Sequence, residues 1–568
     1  MNFCRENDRL SHFLCRFAYM KILTGREIKE ADLRTIENGP VLSLDLMERA
    51  AVALTDRIVA VPEYECRLAS SGRYVDYVVF AGRGNNGGDG LAIARLLCTR
   101  SHVRGKVSVV TVGYDGQLSA DCRANYDRLP SGVAVYGFGS DGKDLPPCLF
   151  GDDVIIIDAL LGTGVNGDVR EPVRSAIAFI NSVSGKCHRV FSIDMPSGMP
   201  TEPEDFHDDA CRMTGTGQEG STVLADVTFT IEFPKLSLLL PRTGKCAGRT
   251  EVVHIGLDKD FIMASDTPYM AVDADMVRQM LMPRDEFAHK GTYGHVLVIA
   301  GSSGMMGAAV LCTGAALKSG CGLVTAHIPW QERTVMHVAQ PSAIVSGCHG
   351  PAFSSLPDDM SKYSAYAAGP GLGQRQETSA ALKSLLQSMN HAAESDAGVA
   401  CGRTIVLDAD ALNIIASHPE LLPMIPPGAV LTPHEGELAR LVVSALPGCY
   451  PWKNDMQKMR AVCCLSKKLD SVIVVKGAHT MTCAPDGRCY FNMTGNPGMA
   501  KGGSGDVLTG LIAGLAARGY SPLQAALLGV WYHGCAGDRA AEENGQESMN
   551  ASDILACIRI GLNRGGRV

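Results

Sequence analysis

The sequence predicts an α/β protein built as two three-layer α/β/α domains, and three observations predict it. Short β-branched runs bounded by turn residues (YVDYVVFAG, DVIIIDA, RVFSID, HVLVIAG, TIVLDADAL, VIVVKG) alternate with helical segments. That alternation is the pattern of βαβ units around a mostly parallel sheet covered on both faces. At 568 residues the chain exceeds what one ordinary core holds. The composition shifts between 256 and 271, after TEVVHIGL, and the strand pattern then starts again. The expected layout is an extension over 1–19, a first domain over 20–257, a linker over 258–270 and a second domain over 271–568.

Within the first domain, Thr24 reads as an N-cap with Glu27 completing a capping box, and the apolar spacing beyond Asp45 suits a second helix. The strand YVDYVVFAG then runs into GRGNNGGDG (82–90) and the helix LAIARLLCTR. After the strand KVSVVTVGYD come DVIIIDA (153–159) and RVFSID (189–194), each ending in a Gly-rich or acidic loop. In such sheets ligands bind at the carboxyl ends of the strands. The polar run EPEDFHDDACRMTGTGQEGS reads as a surface insertion. The second domain begins with MVRQMLMPRDEFAHKGTYG, passes a Gly- and Ala-rich helix after HVLVIAG, and reaches VIVVKG, a hairpin-like run and GMAKGGSGD. That last loop opens into VLTGLIAGLAA, which has helical periodicity.

Apolar residues make up 46% and charged residues 20%, as in a globular protein. A net charge of −8 and a pI near 6 leave no electrostatic footprint for nucleic acid or acidic membranes. No apolar run reaches the length of a membrane span. Twenty cysteines are scattered singly without a CxxC pair, the usage of reduced thiols inside the cell. Residues 1–19 mix Arg5, Arg9 and Arg16 with Glu6 and Asp8, a poor transit composition, and a start at Met20 would remove them. A cytoplasmic protein is expected, with a mitochondrial one the alternative if 1–19 act as a transit segment. Self-association is expected as for most α/β enzymes, though no stretch identifies an interface.

Two kinds of loop carry candidate chemistry. Gly502, Gly503, Ser504 and Gly505 precede a helix whose first turn holds Asp506. Exposed backbone N–H groups at a helix N-terminus make an anion site, and an adjacent carboxylate serves as base for a hydroxyl, which is what phosphoryl transfer needs. The blander alternative is a tight turn with Asp506 as a helix cap. In the first domain Gly82, Gly84 and Gly87 match GxGxxG, and Asp115 could serve as a ribose acid, so a plain dinucleotide-binding dehydrogenase is a rival. Against it, the loop continues as Gly88-Asp89-Gly90. Asn and Asp at this density offer hard oxygen ligands, as do Asp158 with GTGVNGD (162–168) and the run from Asp194 to Gly198.

These residues also carry a resemblance. GRGNNGGDG, IIIDALLGTGVNGDVREPV and FSIDMPSGMP look like the NAD(P)H-hydrate epimerase family. HKGTYGHVLVIAGSSGMMGAA, AAGPGLG, VLDADALN, LTPHEGE and NPGMAKGGSGDVLTG resemble the NAD(P)H-hydrate dehydratase family. From Met20 onward the chain is similar to the bifunctional family that joins the two. The resemblance implies a Rossmann-like first domain and a ribokinase-like second one. It implies epimerisation of the R and S hydrates of NADH and NADPH (NADHX and NADPHX), then nucleotide-dependent dehydration of the S epimer with release of phosphate. Asn85, Asn86, Gly87, Gly88 and Asp89, with Gly162, Thr163, Gly164, Val165, Asn166, Gly167 and Asp168, would hold the hydrate in the first domain. Asn86, Asp158 and Ser197 would coordinate K+, and Asp194 would be the acid/base near C6. In the second domain Gly373, His434, Glu435, Gly436 and Glu437 would line the hydrate site beside the catalytic Asp506. Lys476, Gly477, Ala478, His479 and Thr480, with Gly502 to Gly505, would hold the phosphate donor and its Mg2+. The loop form NPGMAKGGSGD looks like bacterial relatives, which implies ADP rather than ATP. For His434 a loop histidine satisfied by backbone stays the alternative. Ser342 stands where relatives carry an acid. A kinase of a vitamin precursor fused to a nucleotide-binding regulatory domain, and a first domain that only binds, are the competing readings.

Overall fold

The computed structural model describes residues 20–39, 41–60, 74–101, 103–139, 141–165, 167–187, 189–203, 221–395 and 403–561. The extension 1–19, Asn166 and most of the insertion after Ser197 lie outside them. The chain divides into a compact unit over Lys21–Thr267, with which Asn454–Met456 cluster, and a second over the rest of the chain from Pro268. The segment 258–270, expected as a linker, is not irregular: it contains the helix Lys259–Ala264 and begins the strand Tyr269–Val272.

In the first unit seven strands, β1 (Asp76–Ala81), β2 (Val107–Thr111), β3 (Ala134–Gly137), β4 (Val154–Ala159), β5 (Arg189–Ile193), β6 (Val227–Ile231) and β7 (Arg249–Val253), lie in the order 3-2-1-4-5-6-7. Every pairing is parallel. β4 is buried along its whole length, as its near-continuous run of apolar residues requires. The order reverses between β1 and β4, so the loops after these two strands open a crevice at the switch point. One side of the sheet packs Val78, Phe80, Val110 and Ile156 against Ile177 and Ile180 of the helix Val173–Val183. The helix Gly25–Asn38 starts at Thr24 with the expected capping box, Thr24 N–H donating to Glu27 and Glu27 N–H to Thr24 Oγ1. The second expected helix is Ser43–Val59.

One expectation is corrected here. GRGNNGGDG is not a loop up to Gly90, because the helix Asn85–Thr99 already begins at Asn85, with Gly84 at its N-cap. The glycines serve close approach rather than loop freedom: a Cβ on Gly87 would fall 1.8 Å from the Gly82 carbonyl oxygen.

The second unit continues with β8 (Tyr269–Val272), β9 (His295–Ile299), β10 (Leu323–Pro329), β11 (Ile344–Cys348), β12 (Ala365–Ala368), β13 (Thr404–Leu407), β14 (Val430–Leu431), β15 (Val472–Val475), β16 (Met481–Cys483) and β17 (Cys489–Asn492). Their order is 8-17-16-15-14-13-12-9-10-11. All pairings are parallel except the two that make the β15–β16–β17 meander. The helices Met306–Lys318 and Ser504–Ala517 lie on this sheet and bury Ala309, Cys312, Val507 and Leu511 together. They meet at backbone distance: a Cβ on Gly510 would stand 1.9 Å from the Cys312 carbonyl oxygen. Gly510→Ala should therefore destabilise the second unit by about 1–3 kcal/mol or more. A thermal melt of the full chain that kept its wild-type midpoint would refute that packing.

Cys246 is disulfide-bonded, an exception to the expectation of reduced thiols, while the other described cysteines are free. No helix among the described residues is long and apolar enough to cross a membrane.

Candidate functional sites

A cleft of about 1060 Å³ opens in the first unit at the carboxyl ends of β1 and β4. Asn85, Asn86 and Asp89 line it from the first turn of the helix Asn85–Thr99, Gly162 to Val165 with Gly167 and Asp168 from the loop after β4, and Asp194 closes the floor. The sequence-derived residues thus converge, apart from the undescribed Asn166, and from Gly87 and Gly88, which pack behind the helix start. Asp194 follows β5 with φ +65°, a left-handed backbone that turns its carboxylate across the sheet edge. It accepts hydrogen bonds from the Ile231 N–H at 3.1 Å and from Lys235 Nζ. Lys235 is only 1% exposed and also donates to Thr230 Oγ1 (3.0 Å) and the Ile231 carbonyl (2.9 Å). A charge buried that deeply persists only when paired and fully hydrogen-bonded, as this one is.

Two more acids face the pair. Asp32, from the capped helix Gly25–Asn38, is pushed up to about 6, first by burial and then by Asp194. Burial first, then Asp194 and Asp32, also raise Asp89. The site therefore holds one acid locked to a lysine beside two acids whose pKa values burial raises, an arrangement suited to proton delivery and removal at one centre. Sequence reasoning missed Lys235 and Asp32.

Asp158, wholly buried, receives Ser197 Oγ–H at 2.5 Å, Ser197 N–H and Ser192 Oγ–H at 2.8 Å, and Leu160 N–H at 3.3 Å. Burial raises its pKa against these bonds, and no cationic side chain pairs with it among the described residues. Asn86 is buried with its Nδ2 unpartnered. A buried carboxylate among neutral oxygens fits a monovalent cation by charge and donor type, although most of its lone pairs already accept hydrogen bonds.

In the second unit the helix Ser504–Ala517 starts at Gly503, φ +91°, which provides no side-chain cap. Asp506 in its first turn is accordingly not a cap, and its carboxylate enters no ion pair among the described residues. Burial first, then Asp408, push it up to about 6, with Lys476 opposing. Lys476 Nζ sits 2.7 Å from Asp408 Oδ1 and 3.9 Å from Glu437, while Thr509 Oγ1 donates to Asp408 Oδ2 at 2.7 Å. A Cβ built on Gly505 would lie 3.3 Å from Lys476 Nζ and 3.6 Å from Asp408 Oδ2, so the Gly-rich loop and this lysine share one wall. The Gly373 N–H donates to Asp410 Oδ2 at 2.8 Å, and Asp410 also acts on Asp506. Space is open over the loops, since a Cβ on Gly477 or Gly502 would meet nothing within 4 Å.

His434 is the N-cap of the helix Glu435–Ala445: its Nδ1 accepts from Gly436 N–H at 3.0 Å, and Glu437 accepts from His434 N–H at 2.9 Å. The backbone-satisfied alternative thus accounts for Nδ1, while Nε2 lies 3.3 Å from Glu437. Thr480 and Gly477 bond to each other, and His479 Nδ1 meets the Asn492 carbonyl at 3.1 Å, fixing the KGAHT turn at the start of β16. Lys501 donates to the Glu547 and Met549 carbonyls and is not part of this wall. Buried His533 is pushed down to about 4 and lies 3.3 Å from Ser504 Oγ. Asp408, Asp410 and Thr509 went unassigned in the sequence. The acids stand in VLDADALN, at the end of β13, and that position was the available signal.

Comparison with known proteins follows the same division. The NAD(P)H-hydrate dehydratase family model matches residues 296–559, and that of the YjeF-related protein N-terminus matches residues 43–237. The bifunctional NAD(P)H-hydrate repair enzyme of Moorella thermoacetica is 33% identical over 549 residues, 94% of this chain and 95% of that protein. The enzyme of the same description from Coxiella burnetii is 33% identical over 542 residues, 95% of this chain and 98% of its own. Among solved structures, the ADP/ATP-dependent NAD(P)H-hydrate dehydratase from Bacillus subtilis, co-crystallised with ATP/Mg2+, is 29% identical, covers 50% of this chain and 95% of its own, and has a TM-score of 0.42.

Proposed function

The chain belongs to the bifunctional NAD(P)H-hydrate repair enzymes, and from that membership we propose which residues do the work in each unit. It is an NAD(P)H-hydrate epimerase and a nucleotide-dependent NAD(P)H-hydrate dehydratase. Water added at C6 of a reduced nicotinamide leaves a hydroxyl, which is a poor leaving group until phosphorylated. In the second unit Asp506 takes that hydroxyl's proton, and the N–H groups of Gly503 to Gly505 with Lys476 stabilise the charge on the transferring phosphoryl group. The bound nucleotide would supply the phosphoryl group and Mg2+ would offset its negative charge; phosphate then leaves C6 as a proton is lost from C5 to solvent, and the ring double bond is restored. Gly477 to Thr480 hold the donor, ADP in preference to ATP, and Gly373 with the His434–Glu437 turn lines the hydrate side.

The observation that carries this reading is an ion-pair-free carboxylate, pushed up to about 6, at the open N-terminus of a Gly-lined helix. A base must be ionised to act. Dehydration should therefore climb with pH through about 6 and level off above it. A profile flat from pH 5 to 8, with the chemical step limiting, would remove Asp506 from that role. The direct assay adds ADP or ATP to mixed NADH hydrates and follows recovery of the reduced-nicotinamide absorbance. Recovery of the whole pool fits both activities, whereas a lasting phosphorylated product from a vitamin alcohol would mark a kinase instead.

In the first unit, Asp194 acts as the acid/base near C6 while Asp32 holds or accepts the complementary proton, and the helix start at Asn85–Asp89 with the loop Gly162–Asp168 clasps the dinucleotide. Asp158, Ser197 and Asn86 would hold K+, whose charge offsets the pyrophosphate. Replacing K+ by Li+ should slow epimerisation and spare dehydration, and Ser197→Ala should raise the K+ needed for half-activity by about tenfold or more. Equal epimerase rates in both salts would dispose of the cation. Self-association and residence in the cytoplasm complete the reading; sedimentation of the purified chain and fractionation of cells that make it test them.

A further inference from the structure

Three thiols that none of the roles assigned above uses meet at one point. Cys463 lies on the helix Asp455–Leu469, Cys483 ends β16 and Cys489 begins β17. Cys483 and Cys489 are direct cross-strand partners, so their side chains leave the same face of the hairpin toward the helix. Cys463 Sγ stands 3.6 Å from each of the other two sulfurs, and all three lie within 4.8 Å of one another. Cys483 and Cys489 are completely buried, whereas Cys463 is half-buried and gives the cluster its opening to solvent.

Buried cysteines usually act as small apolar side chains, each packed singly. These three instead present sulfur to sulfur. Their long contacts to the Ala484 and Gly487 carbonyls, at 3.7 and 3.9 Å, leave the S–H groups poorly satisfied by anything else.

We infer that Cys463, Cys483 and Cys489 form a trigonal site for a soft, thiophilic cation, with Cu(I) as its ion. A metal about 2.3 Å from each of three coplanar sulfurs sets them about 4 Å apart, a few tenths of an ångström from the observed 3.6 Å edges. Thiolate-only coordination selects soft ions, while Zn2+ in a closed site takes four ligands, and no fourth Cys, His or acid joins this group among the described residues. Each coordinated thiol gives up its proton to the buffer, so uptake strengthens as pH rises, and no redox partner is required. The ion would pin the helix to the hairpin that begins just after the KGAHT turn.

The test uses the reduced full-length protein under anaerobic conditions, with Cu(I) supplied from a chromogenic chelator and with Zn2+ in a parallel titration. Wild type should retain one Cu(I) per chain against the chelator and gain thermal stability from it. Cys463→Ser should lose affinity by at least about tenfold. Cys464→Ser, which removes the exposed neighbouring thiol, should bind as wild type. Both substitutions avoid the buried sulfurs, so both variants should fold, which their apo melting curves check. The inference falls if Cys463→Ser retains copper as tightly as wild type, because the ion then sits on other thiols. It falls equally if Zn2+ is held in preference to Cu(I), or if mild oxidation joins Cys463 to Cys483 or Cys489 in protein that takes up no metal.

Discussion

Asp506→Asn is expected to lower the dehydratase kcat by about a hundred- to ten-thousand-fold while leaving the KM for nucleotide close to wild type. The reasoning follows from where the carboxylate stands. Among the described residues Asp506 caps nothing and pairs with no lysine or arginine, and it packs at the first turn of a helix whose other side is buried, so the amide leaves the fold intact. What disappears is the capacity to accept a hydroxyl proton. Removing a neighbour should behave differently. Asp408 receives Lys476 and Thr509 and is 1% exposed; its loss would free a partly buried lysine and disturb donor binding with catalysis, moving KM and kcat together. A kcat for Asp506→Asn within tenfold of wild type would take the base away from this helix.

The second large effect belongs to the first unit. Asp194→Asn is expected to reduce epimerisation by about a hundredfold or more, with dehydration of the S hydrate untouched. On mixed hydrates the variant should restore the S fraction at the normal rate and leave the R fraction behind. Asparagine is the informative replacement rather than alanine. Lys235 keeps Thr230 Oγ1 and the Ile231 carbonyl when the carboxylate becomes an amide. Either replacement removes the counter-charge, but asparagine keeps an oxygen that can accept from Lys235, whereas alanine leaves the buried charge without it, a cost of about 3–5 kcal/mol that confuses lost chemistry with lost fold. Complete restoration of both epimers by Asp194→Asn would assign the proton exchange elsewhere, with Asp32 the next residue to replace.

The fold class, the switch-point loops and the helix under Asp506 were legible because each is written locally. Glycines mark close approach, β-branched runs mark buried parallel strands, and Thr24 with Glu27 marks a helix start. The partners of the two central acids were not legible for a physical reason. Lys235 sits in IEFPKLSLL, where nothing local distinguishes a buried cation from one reaching solvent. Asp32 lies in GREIKEADLR, a stretch whose polar residues read as a water-facing side. Both acquire meaning only when β5, β6 and the first helix meet, and that meeting depends on sheet order rather than on periodicity. The 82–90 segment failed in the opposite direction: its glycine density reads as loop, yet Gly87 is needed so that a helix can begin against the Gly82 carbonyl.

The contact between Gly510 and the Cys312 carbonyl bears on how this scaffold tolerates change. With main chain seated on main chain and no side chain between, the helix that carries the proton acceptor has no cushion to slide on. New donor or acceptor preferences therefore have to be sculpted in the turns around it, above all KGAHT and HEGE, while the general base stays at a fixed address.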